Sequence, residues 1–72
     1  MVSCKEEYLP VNQLNAEVIE QVKAKFPGVS VSVVRKYCNQ LSNVYEVKLL
    51  NGVKIKFDDQ HQIIEIDESE KL

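Results

Sequence analysis

The chain has 72 residues, 44% of them hydrophobic and 28% charged, with a formal net charge of -2 and a pI near 5.3. That suffices for one small domain and is too ordinary for a disordered tail. The acidic balance argues against a general nucleic-acid binder, and no apolar run is long enough to cross a membrane.

Residues 1–13 read as a lead-in. "CKEEYLPVNQ" carries charge and Pro10 but shows no clean period. "MVSCKEEY" has no long apolar stretch, so no signal peptide is expected within the chain. A helix follows, with Asn15 as N-cap, Glu17 in the first turn and a stop at Pro27-Gly28. Val18, Ile19, Val22 and Phe26 form one apolar stripe, so the helix must lie on something.

"VSVSVVRKY" is a β-branched, period-two strand, and "CNQLSN" reads as a loop. Further strands are expected at Val44–Leu50, Val53–Asp58 and Ile63–Asp67, followed by a frayed acidic tail over residues 68–72. Short connections between strands imply an antiparallel meander. The expected architecture is α+β: one N-terminal helix packed on one face of a four-stranded antiparallel meander, a single domain over residues 14–67.

The hairpin at Asn51-Gly52 decides which surface is free. A two-residue turn would set Val47 opposite Lys56 and mix the oily and charged faces. A three-residue connection, Leu50-Asn51-Gly52, sets Leu49 opposite Val53, Val47 opposite Ile55 and Tyr45 opposite Phe57. It also places Glu46 opposite Lys56 and Lys48 opposite Lys54. Extending the meander with Phe57 opposite Ile64 adds Glu65 beside Lys56 and Asp67 beside Lys54. The expected core is Val18, Ile19, Val22, Phe26, Val31, Val33, Tyr45, Val47, Leu49, Ile55, Phe57, Ile64 and Ile66. Ile63 then points to the charged face unless a bulge intervenes. Tyr37, at the end of the first strand, is expected in the core.

The open charged face is the candidate docking surface, through Glu46, Lys48, Lys54, Lys56 and Glu65, with Val34 and Ile63 as apolar points. The alternative is self-association through the Val-rich strand bearing Val29, Val31 and Val33, expected to be a bare edge. Asp58, Asp59 and His61 are the only clustered polar groups with catalytic potential. Asp in a hairpin turn more often bonds the backbone, so no enzyme is expected. Ser30 and Ser32 lie on the solvent face of a strand with no base beside them. Neither a metal nor another cofactor is expected. Cys4 and Cys38 can form one bridge; the simpler expectation is two free thiols.

"LNAEVIEQVKAKFPG", "VSVSVV" and "VYEVKLLNGVKIKFDDQHQIIEID" together resemble the PepSY-like domains, which share a fold with β-lactamase-inhibitor proteins. The likeness covers about residues 14–67. It departs from the family at Asn15, where Pro is frequent, and at His61, where Gly is frequent. The resemblance implies a helix on an antiparallel sheet and a bacterial, periplasmic or extracellular setting. It also implies a non-catalytic role, inhibiting or regulating another protein. Family members often occur as tandem copies whose sheets form one broad surface; with one copy here, a homodimer would restore it. "VSC" before "KEE" is similar to the end of a lipoprotein signal, which would make Cys4 a lipid anchor if an apolar segment preceded it.

Overall fold

The computed structural model describes residues 5–39 and 42–69. Helix α1 spans Ala16–Lys25. It begins where the Asn15 side chain accepts a hydrogen bond from the Glu17 backbone N–H at 2.8 Å. Lys23 and Lys25 lie in its last turn, where cations oppose the helix dipole. Gly28, at φ 81, takes the left-handed conformation that turns the chain toward the sheet.

The sheet has five strands in sequence order, all antiparallel neighbours: β1 Glu7–Leu9, β2 Val31–Asn39, β3 Ser42–Leu49, β4 Lys54–Phe57 and β5 Ile63–Asp67. Four strands were expected. The fifth is β1, which lies inside the segment read as a lead-in and pairs with Val34, Arg35 and Lys36 of β2. Three residues are too few to show a period. The expected loop over "CNQLSN" is also corrected, since β2 runs to Asn39 and β3 starts at Ser42.

The β3–β4 hairpin has the three-residue connection. The Leu49 N–H donates to the Val53 carbonyl at 2.8 Å, and Gly52 takes φ 92. The registers Tyr45–Phe57, Glu46–Lys56, Val47–Ile55 and Lys48–Lys54 follow. The β4–β5 turn repeats the design. Asp58 N–H donates to the Gln62 carbonyl at 2.9 Å, and His61 stands at φ 64 where Gly52 stands in the first hairpin.

The core lies between α1 and one face of the sheet: Val18 and Val22 pack with Val47, Leu49, Val53, Ile55 and Phe57. At about 1.5–3 kcal/mol for each large side chain buried, this cluster supplies most of the driving force for folding. Two bulges correct the expected core. The pairing shifts between Val31 and Val33, making Ser32 an extra residue. Val33 therefore faces away from the helix, 37% exposed, while Val34 turns inward at 1%. A second shift places Ile63, not Ile64, opposite Phe57. Ile63 packs on the core, and Ile64 is displaced into solvent, 52% exposed. Ile66 is opposite Ile55 but remains largely exposed at the margin.

Both margins of the sheet carry acids: Glu7 on β1 with Glu6 just before it, and Glu65 and Asp67 on β5. No helix among the described residues is long and apolar enough to cross a membrane.

Candidate functional site

Directly opposed residues of an antiparallel sheet share a face. The registers therefore build three rows on the face away from α1. One runs Tyr8, Arg35, Glu46, Lys56, Glu65; the second runs Val33, Lys48, Lys54, Asp67; the third is Tyr37 with Val44. The first row alternates in charge and is knitted together. Arg35 Nη2 lies 3.1 Å from Glu46 Oε1 and Nη1 lies 3.3 Å from Glu6 Oε2. Lys56 Nζ lies 3.4 Å from Glu65 Oε2. The Arg35 guanidinium also stacks 4.5 Å from the centre of the Tyr37 ring.

The titrations follow from these contacts. Burial alone would lower the pKa of Arg35, and the carboxylates of Glu46 and Glu6 outweigh it, so the net shift is upward. Lys56 behaves likewise: burial pulls its pKa down, while Tyr37 and Glu65 carry it above its ordinary value. Asp67 is lowered, first by the Ser69 hydroxyl and backbone N–H and then by the charges of Lys54 and Lys56.

The second row differs. Lys48 and Lys54 are direct cross-strand neighbours of like charge, an arrangement that destabilises a sheet. Lys54 also feels Asp67 on its other side. Lys48 is exposed and makes no ion pair among the described residues. These lysines, with Tyr8, Val33, Arg35 and Glu46, line a shallow depression of about 250 Å³. Tyr8 is the most exposed large apolar side chain of the described residues, at 68%. A larger apolar cleft of about 660 Å³ lies on the helix side, between Ile19 and Val22 of α1 and Val29 and Val31 before and within β2. It opens at the margin of the core and brings together no set of polar groups.

Glu46, Lys48, Lys54, Lys56 and Glu65 stand on the open face as expected. Val34 and Ile63 do not, because each bulge turns them to the core side. Val33 takes the place of Val34. The self-association strand is also revised: β1 pairs with part of it, and Val29 and Val31 pack against the core. Tyr37, expected inside, stands opposite Val44 on the open face instead. Sequence reasoning missed Tyr8 because it missed β1, and Arg35 because strict alternation with Val31 and Val33 puts it on the core side, from which the bulge at Ser32 turns it. The bulges left a trace, however. Val33-Val34 and Ile63-Ile64 are apolar doublets within alternating strands, and a doublet puts one residue on the wrong face unless the pairing slips.

The Asp58–Asp59–His61 group is structural in its visible contacts. Asp58 Oδ1 accepts the N–H groups of Gln60 and Gln62, each at 2.9 Å. Gln21 Nε2 donates to the His61 carbonyl at 2.6 Å, and His61 Nδ1 lies 3.7 Å from Glu17 Oε2. The turn is thereby fastened to α1. No three metal-ligating side chains cluster among the described residues. Cys38 is disulfide-bonded, which corrects the expectation of a free thiol there. Cys4, and with it any lipid anchor, lies outside the described residues.

What these features define, among the described residues, is an α+β domain of one α-helix and one sheet whose second face is charged and left open. The chain belongs to the PepSY-like family, described as "Putative beta-lactamase-inhibitor-like, PepSY-like", which matches residues 1–65. It is similar to a crystal structure from Bacteroides vulgatus ATCC 8482, described as a "putative periplasmic protein" of the DUF2874 family. The TM-score is 0.70 at 26% identity over 81% of this chain. The match spans 46% of that protein, so this chain accounts for about half of its length. No functionally curated protein matches.

Proposed function

We propose that the protein is a non-catalytic binding module that docks a protein partner on its open sheet face, inhibiting or regulating that partner in the periplasm or outside the cell. One observation carries this reading. Tyr8 and Val33 lie exposed beside a row of fixed ion pairs on a face that no element of the described chain covers. Apolar anchors within an ordered charged frame suit protein recognition: the anchors give affinity, and the charges give orientation and encounter rate. Membership of the PepSY-like family and likeness to a protein described as periplasmic support the setting.

The immobilised chain is expected to retain a specific protein from the periplasmic extract of its native host. The double substitution Lys54→Glu, Lys56→Glu should abolish retention while circular dichroism stays unchanged. Retention indifferent to the double substitution would remove the open face as the site.

A further inference from the structure

β1 is weakly held by its own contacts. Its residues pair with Val34, Arg35 and Lys36, but Glu7 and Tyr8 are exposed and Leu9 is half-buried. It contributes no residue to the core cluster, which comes from α1, β3, β4 and Val53. The ion pair of Glu6 with Arg35 is exposed, and such pairs add little. A short edge strand outside the core opens at small cost unless something else fastens it. The disulfide at Cys38 stands where a fastening would act. Cys38 lies just beyond Lys36, the partner of Glu7, and it is disulfide-bonded. The sequence holds one other cysteine, Cys4, just ahead of β1. An antiparallel ladder leads the residues before Glu7 along those after Lys36. Facing residues of such a ladder stand about 4.5–5.5 Å apart at Cα, within the span of a disulfide.

We propose that Cys4 and Cys38 form this bond and that it is a redox-sensitive latch on β1. A dithiol reductant opens it by exchange. Its first thiolate attacks one sulfur to form a mixed disulfide, and its second displaces the protein thiol. The S–S bond is thereby broken, Cys4 and Cys38 take up two electrons and two protons as thiols, and the reductant is left as its own disulfide. Cys38 is only partly buried, and its Sγ lies 3.4 Å from Asn43 Oδ1, which can accept the S–H of the reduced form. With the bond open, β1 is held by its short pairing and one exposed ion pair, and it detaches while the core stays packed. Tyr8 and Glu6 leave the open face with it. Arg35 keeps the contact with Glu46 and loses the one with Glu6. The outer backbone edge of β2 at Val34, Arg35 and Lys36 is bared. An oxidising compartment keeps the latch closed. On the open-face reading, the closed form is the one that docks, because Tyr8 is then in place.

Mass mapping of the unreduced protein and amide spectra of the ¹⁵N-labelled chain test this together. Digestion without reductant should yield a peptide in which Cys4 is joined to Cys38. The spectra are recorded with and without excess dithiothreitol at about 15 °C, near the usual maximum of stability. Reduction should move the amides of Glu7, Tyr8 and Leu9 to random-coil positions and shift those of Val34, Arg35 and Lys36. The amides of Val47, Ile55 and Phe57 should keep their places. Reoxidation should restore the first spectrum. The double variant Cys4→Ser, Cys38→Ser should show the reduced spectrum with no reductant present.

Free thiols in the protein as isolated, a bond joining two chains, or a lipid on Cys4 would each overturn the pairing and with it the latch. If the β1 amides stay in place on reduction, the bond does not hold the strand. If the dispersion of the whole spectrum is lost, the bond is a staple of the entire fold, and the latch is refuted equally. None of these readouts uses a partner, so the latch and the docking reading fail separately.

Discussion

Val33 and Val34 are adjacent, identical in chemistry and opposite in fate, so one matched pair of substitutions tests the bulge that shapes the docking face. Thr replaces Val almost isosterically and keeps a high strand propensity, so Val→Thr changes little except a methyl for a hydroxyl. Val34 is 1% exposed and opposes Val47 in the core. A hydroxyl buried there without a new partner costs about 1–3 kcal/mol. Against the 3–5 kcal/mol or so that the core of so small a domain supplies, this is a large share. At about 4–8 °C for each kcal/mol, Val34→Thr should lower Tm by roughly 4–24 °C. Val33 opposes Lys48 on the solvent side, and Val33→Thr should stay within about 0.5 kcal/mol of the parent. Thermal and urea unfolding followed by circular dichroism provide the readout. Strict alternation from Val29 assigns Val33 to the core and reverses the order. Equal effects, or a larger loss for Val33→Thr, would refute the bulge and return Val34 to the open face.

The second bulge makes the same kind of prediction. Ile63→Ala should cost about 1–2 kcal/mol, below the range for fully buried Ile because Ile63 is only partly buried, and Ile64→Ala should cost less than about 0.5 kcal/mol. Urea midpoints decide between them. At His61, φ 64 admits glycine freely and β-branched residues poorly, so His61→Val should destabilise by about 1–3 kcal/mol. His61→Gly should match or exceed the parent in Tm, and a marked loss there would mean that the contacts with Glu17 outweigh the backbone preference. Asp67 titrates below its ordinary range, so its contribution to stability is present above the unfolded carboxylate pKa and is lost as pH falls through the lower folded value. Ser69→Ala removes the leading cause, and a carboxyl ¹³C titration should show the Asp67 pKa rising; no movement would refute the assignment to the Ser69 hydroxyl.

The hairpin at Gly52 was readable because three signals agreed: turn chemistry, the oily alternation of Tyr45 to Leu49 and Val53 to Phe57, and the matching of Glu46 with Lys56. The helix was readable from Asn15, its apolar stripe and Pro27-Gly28. What escaped were features without redundancy. β1 has three residues, and its strand character comes from pairing with β2 rather than from its own pattern. The bulges escaped because alternation was extrapolated through Val33-Val34 and Ile63-Ile64, where the pattern itself breaks. Glu46, Lys48, Lys54, Lys56 and Glu65 were found on the candidate face because charge and register reinforce each other. The apolar members were misassigned because a slip of one residue exchanges the two faces.

The carboxylates along both outer strands also govern how the protein behaves in a crowd. A second sheet joining at either rim would have to strip water from these charged side chains, and that cost keeps the unpaired backbone groups of neighbouring molecules apart. Replacing Glu7 or Glu65 by a β-branched residue would take away that protection, and folded molecules should then join edge to edge more readily.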